Sequence, residues 1–200
     1  MSYELKNFEN LIGMEGFSDN ALKIHFTLYQ GYVNNFNKLN DILVVMEKEG
    51  KYATPEFAEL NRRLGWEWNG MRLHELYFEN LTKSPEGVPS AFKKPSENSP
   101  FFEALKKEFG SFEFWEKDFK SMGVMRGIGW VILYHDKSSG RLFNIWVNEH
   151  DVGHLSGCSH LLIMDVFEHA FMLDYGTKRA DYIESFFKNI NWPTVEERFL

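Results

Sequence analysis

The sequence predicts an α+β fold: an N-terminal lobe built on a long-helix hairpin, then a C-terminal lobe with a three-stranded antiparallel sheet and helices. Three observations lead there. Apolar side chains recur at helical spacing from about Asp19 to Glu49, and again from Thr54 to Leu81. Between Lys83 and Pro100, the residues Pro85, Gly87, Pro89, Pro95 and Pro100 break any periodic pattern. Beyond Gly123 the period shortens and the apolar runs become strand-like.

Each element has its own justification. In the first helix Leu22, Phe26, Tyr29, Val33, Phe36, Leu39, Ile42 and Met46 form the apolar stripe, with Ser18-Asp19 as cap and Gly50 as stop. Thr54-Pro55 opens the second helix, which runs through Trp66, Trp68, Met71 and His74 with an expected break at Gly65. The Pro-rich stretch divides the chain into a helical domain, 1–86, and a mixed domain, 87–200. Ser99-Pro100 starts a short helix over Phe101–Phe109, and another follows from Ser111 to about Met122. Trp130–Tyr134 and Leu142–Val147 are strands joined by a hairpin from His135 to Gly140, which leaves His135 facing solvent. Ser159–Met164 is the third strand, and Asp181–Ile190 and Thr194–Phe199 are closing helices.

Composition narrows the function. With 44% hydrophobic and 26% charged residues, 200 residues describe a globular protein with ample core. A formal charge of −7 opposes sequence-independent nucleic-acid binding, which needs Lys and Arg against phosphates. No apolar run has the ~20 residues of a membrane span. The N-terminal residues lack a signal peptide's apolar segment, and the single cysteine, Cys158, fits a reducing cytoplasm. Nineteen Phe and six Trp point to a large aromatic core.

The chemistry-bearing segment is Asp165-Val166-Phe167-Glu168-His169-Ala170-Phe171, directly after the apolar run Leu161–Met164. A carboxylate at the end of a buried strand costs several kcal/mol unless a cation or donors meet it. Asp165 and His169 stand four apart, so one helical turn aims both at one point. That pair suits a first-row transition metal, and it equally suits a buried Asp–His hydrogen bond at a helix start. His25 and His74 lie beside the apolar stripes of their helices, where a lone histidine is more often core than ligand.

Taken together, one inward histidine on each long helix, followed by Asp-x-x-x-His after the third strand, resembles the iron/manganese superoxide dismutase family. The resemblance spans nearly the whole chain. It includes Tyr32-Val33-Asn34-Asn35, Gly127-Ile128-Gly129-Trp130, Arg179-Ala180-Asp181-Tyr182-Ile183 and Asn191-Trp192. It implies disproportionation of superoxide at one Fe or Mn ion per subunit, held by His25, His74, Asp165 and His169 with a water as fifth ligand. It also implies a homodimer or tetramer, in which Glu168 bridges to the partner subunit's His169. Trp130 and Phe167 line the site, Phe167 standing where tryptophan is common. Tyr32 and Arg179 belong to the substrate funnel.

The departures from that pattern concern hydrogen bonding at the water. Family members supply a glutamine either four residues before the second histidine, here Gly70, or from the stretch that is Asn148-Glu149-His150-Asp151 here. Neither holds glutamine. Some archaeal members place a histidine at the second position, so His150 is expected to partner the water, with His154 supporting it. Glu149 is the competing alignment, but an ionised carboxylate only accepts. Leu28-Tyr29 shortens the interval to Tyr32 and removes the family's funnel histidine, and Met172 replaces the tyrosine that usually meets it across the dimer. Peroxidase-like chemistry and a non-catalytic structural subunit are the rival readings.

Overall fold

The computed structural model describes residues 2–83 and 94–200. Most of the interlobe stretch, and the expected boundary between residues 86 and 87, lie outside them. A short 3-10 turn at Glu9–Leu11 precedes α1 (Asp19–Lys48), and α2 (Pro55–Glu79) follows. After them come α3 (Pro100–Phe109), α4 (Phe112–Gly123), β1 (Gly129–Asp136), β2 (Arg141–Asn148), β3 (Ser159–Asp165), α5 (Glu168–Tyr175), α6 (Arg179–Lys188) and α7 (Trp192–Phe199).

The starts of α1 to α4 follow side-chain capping. The hydroxyls of Ser18, Thr54, Ser99 and Ser111 accept from the backbone N–H three residues on, replacing partners the first turn lacks. At the end of α1, Gly50 adopts φ 69° and Lys51 N–H bonds back to the Met46 carbonyl, a glycine-terminated end. Two expectations are corrected here. Gly65 does not break α2, because one glycine costs only about 1 kcal/mol and packing against α1 outweighs it. Ile42 is exposed and Leu43 takes its buried place.

The sheet has the order β2-β1-β3, all antiparallel. β1 is the central strand and is buried along seven of its eight residues. His135 is a further correction: β1 extends through it, and its ring stacks on Phe199 of α7 at 4.4 Å, so it is buried rather than solvent-facing. On the same face Trp115 packs against Phe112, Phe119, Phe187 and Trp192, and its indole N–H donates to Asn144 Oδ1 at 3.0 Å. Such aromatic pairs contribute about 0.5–1.5 kcal/mol each beyond area burial.

Two joints matter for the site. Within the helical lobe, Tyr32 meets Trp66, the Tyr29 hydroxyl meets Glu75, and His25 meets Phe78, so α1 and α2 run antiparallel in a fixed register. Between the lobes, buried Asn80 accepts from Ile163 N–H at 2.9 Å and donates to the Ile163 carbonyl at 3.3 Å. Asn191 N–H bonds Asn80 O, and Leu81 pairs with Ile190. Asn80 thereby clamps the end of α2 to β3, bringing His74 alongside Asp165.

Candidate metal centre

Three helices and one strand converge on one point. His25 from α1, His74 from α2, Asp165 from the last position of β3 and His169 from the first turn of α5 each present a ligand atom, all within 4.8 Å of one another. The Nε2 atoms of His25, His74 and His169 stand 3.2, 3.6 and 3.1 Å from the same oxygen, Asp165 Oδ2. His25, His74 and Asp165 are buried, and His169 is partly so. Among the described residues His25 Nε2 and His74 Nε2 have no hydrogen-bond partner, although each is sealed from solvent. Buried nitrogens without a partner are costly, and two aimed at one carboxylate oxygen fit a shared cation.

The surrounding bonds orient the donors. Gly70 O lies 2.6 Å from His74 Nδ1 and can only accept, so Nδ1 carries the proton and Nε2 keeps its lone pair. The Phe167 N–H donates to Asp165 Oδ1 at 2.8 Å, leaving Oδ2 for the centre. The Tyr182 hydroxyl donates to the Asp165 carbonyl at 2.7 Å and touches Tyr77 Oη at 3.2 Å. Rings wall the cluster: Tyr32 stacks on His74, Phe167 on His169, and Phe78 and Trp130 stand edge-on to His25 and His74.

Charge follows from that burial. Desolvation alone pushes the Asp165 carboxyl up, but the neighbouring imidazoles of His169 and His25 reverse this and hold it far below the carboxylate range. Desolvation lowers His25 and His74, His74 strongly, so both rings are neutral and able to donate a lone pair. For His169 desolvation opposes protonation, yet the Asp165 charge wins and raises it. Desolvation, with Asp165 next, pushes the Tyr32 hydroxyl above its ordinary value.

A family model for the C-terminal domain of iron/manganese superoxide dismutases matches residues 97–198. A "Superoxide dismutase [Fe]" of Aquifex pyrophilus is 35% identical over 192 residues, covering 93% of this chain and 85% of the relative. A "Superoxide dismutase [Mn] 2" of Haloferax volcanii is 32% identical, covering 88% and 82%. A "Superoxide dismutase [Fe]" of Sulfolobus acidocaldarius is 32% identical, covering 90% and 84%. The chain belongs to the iron/manganese superoxide dismutase family.

Against that family's pattern, each expected residue has a definite place. Tyr32 Oη lies 2.8 Å from His150 Nε2, and the Trp130 indole N–H donates to His150 Nδ1 at 3.1 Å. His150 is fully buried and, by desolvation, its pKa falls to about 4. His154 does not reach the cluster; its Nε2 meets the His150 carbonyl at 3.0 Å. Glu149 turns away from the centre, its carboxylate accepting from the Trp66 indole at 3.2 Å, on a backbone with φ 47°. Glu168 is exposed on the first turn of α5. Arg179 donates to the carbonyls of Met125 and Gly127, both at 2.8 Å, and lies over the Phe171 ring.

The sequence reading assigned no role to Trp66, whose ring lies 4.6 Å from His150 and 5.6 Å from Tyr32. A signal for it existed: Trp66, Gly70 and His74 repeat at four-residue spacing and share one face of α2. Arg63 extends that face outward, 3.8 Å over the Trp66 ring. His160 bonds the Tyr134 hydroxyl through Nε2 at 3.2 Å.

Burial pushes His160 down to about 4, reinforced by the positive or protonatable His154, Arg198 and Arg72 around it. An unfolded histidine titrates near 6.5, so between these values the unfolded chain takes the proton first. Stability from this group is therefore complete above pH 6.5 and lost as pH falls toward 4. Urea midpoints at pH 7 and pH 5 should differ less in His160→Gln than in the parent; an unchanged difference would assign the acid sensitivity elsewhere.

Proposed function

We propose that this chain disproportionates superoxide to dioxygen and hydrogen peroxide, with His25, His74, Asp165 and His169 holding one iron or manganese ion per subunit. The observation that carries this reading is the convergence of three imidazole Nε2 atoms on one buried carboxylate oxygen, two of them without a hydrogen-bond partner among the described residues. When bound, the ion would supply the redox couple, a one-electron change between +3 and +2 that disproportionation of superoxide requires.

The chain's own residues supply charge, dryness and protons. Asp165 sets a single negative charge beside the neutral rings of His25 and His74 and the ring of His169, which would give up its proton to ligate the ion. The aromatic wall of Tyr32, Trp130, Phe78 and Phe167 keeps water out and so strengthens each electrostatic contact inside. Peroxide release consumes two protons, and the contact between Tyr32 and His150 supports a role for the pair in relaying replacement protons to the site. The raised pKa of Tyr32 keeps its hydroxyl protonated at neutral pH. His150 Nδ1 accepts from Trp130, so its proton sits on Nε2 and is donated to the Tyr32 oxygen, freeing the tyrosine's own proton for transfer.

The net charge of −7 does not prevent attraction of an anion, because local field governs encounter. Arg63, over Trp66 and beside the Tyr32–His150 pair, supports such steering. Exposed Met172 and Leu173 next to Glu168 leave an apolar face on α5, which supports the homodimer and a contact through Glu168. No helix among the described residues is long and apolar enough to cross a membrane. The free Cys158 supports a reducing cytoplasmic location.

The deciding experiment measures superoxide dismutation by the purified protein, with metal quantified, alongside His150→Ala. Activity near one metal per chain is expected, reduced about 10–100-fold in the variant at equal metal content. Metal without dismutation would point to peroxidase-like chemistry, and absence of both to a structural subunit.

A further inference from the structure

His150 lies on the turn between β2 and β3, where Glu149 has a left-handed backbone and Asn148 pairs with Val152. Such a turn does not by itself hold a buried ring in place. A second set of bonds, outside the metal cluster, acts on it. The His150 carbonyl can only accept, so His154 Nε2, 3.0 Å away, carries a proton. In the neutral ring, His154 Nδ1 is then an acceptor, and the Tyr134 hydroxyl donates to it at 2.7 Å. That leaves the Tyr134 oxygen to accept from His160 Nε2–H at 3.2 Å. Every donor in the series has one acceptor, so each ring has a single tautomer.

Tyr134 is buried on β1 four residues beyond Trp130, on the strand whose Trp130 indole meets His150 Nδ1. The central strand therefore holds His150 twice: at the ring through Trp130, and at the backbone through Tyr134 and His154. His154 and His160 also border a cleft of about 710 Å³ with Arg72 and Arg198, so the series runs from that surface to the His150 peptide.

We propose that Tyr134 is a positioning residue for the reaction, holding the His150 peptide through His154 so that the imidazole N–H meets Tyr32. This rests on the dismutase reading above. Tyr134→Phe removes one oxygen and keeps the ring, and His154→Gln keeps an amide donor for the His150 carbonyl and an acceptor for Tyr134. His154→Leu keeps neither. Two readouts are needed: kcat at matched metal content, and two-bond ¹⁵N–¹H correlations of His150 in the metal-free protein.

The expected result is a single Nε2–H pattern for His150 in the parent and in His154→Gln. In Tyr134→Phe and His154→Leu that pattern should broaden or mix, and kcat should fall about tenfold. An unchanged His150 pattern in Tyr134→Phe overturns the proposal, even where activity falls in step with lost metal. If Tyr134→Phe does not fold, the two His154 variants decide, and equal His150 patterns in them overturn it. An inactive, metal-loaded parent would sink the dismutase reading alone, because the ¹⁵N pattern is read without metal or substrate.

Discussion

Asp165→Ala is expected to lose metal binding and dismutation together while the protein still folds. The carboxylate is the one anionic donor in the cluster, and all three imidazole Nε2 atoms face its Oδ2. Even the loss of a group that only orients a ligand costs about 10–100-fold in metal affinity. Removing a ligand itself should exceed about 100-fold. The fold should survive because the Tyr182 bond reaches the Asp165 backbone carbonyl, which alanine keeps. The local cost is the Phe167 N–H, left without its acceptor, at about 1–3 kcal/mol. Metal analysis after purification, with far-ultraviolet circular dichroism as the folding control, checks both halves. Full metal occupancy in the variant would remove Asp165 from the site.

Gly70→Gln is expected to damage the site, although the family resemblance gives this position as one of two sources of a glutamine. A Cβ on Gly70 would stand 2.5 Å from Cδ1 and 2.6 Å from Cε1 of Tyr32. The tyrosine ring occupies that space because it stacks on His74 and reaches His150 at 2.8 Å. To admit any side chain, Tyr32 has to leave both partners. Overpacking of this kind costs about 1–3 kcal/mol in stability. Activity at matched metal content should fall at least as far as in Tyr32→Phe, which removes the hydroxyl and leaves the stack. Gly70→Ala is the control that separates the Cβ from the longer amide, and it should show most of the loss. If Gly70→Gln were as active as the parent, Tyr32 would have to be mobile, and its ordered contact with His150 would not matter.

The residues that carry local rules were legible in the chain itself. Ser18, Thr54 and Ser99 cap where their hydroxyls reach the third following N–H, and Gly50 ends α1 because it tolerates a positive φ. The α+β order followed from the change in apolar period after Gly123. Asp165 and His169 were readable as a pair because four residues make one helical turn, though not as metal ligands rather than a structural bond. His25 and His74 were ambiguous singly; the resemblance to a known family joined them to that pair.

Only the tertiary structure decided the rest. Whether His150 or Glu149 turned inward depended on Trp130 and Tyr32, 20 and 118 positions from His150, and on Trp66, 83 from Glu149. His135 read as a turn residue until Phe199, from the far end of the chain, covered it. The space at Gly70 is defined by a ring on another helix. Sequence alone determined the elements, their order and the ligand types on offer, because caps and periodicity act over a few residues. Which side chains share the buried centre was decided by packing, because only burial makes an unpaired nitrogen or carboxylate costly enough to select its partner.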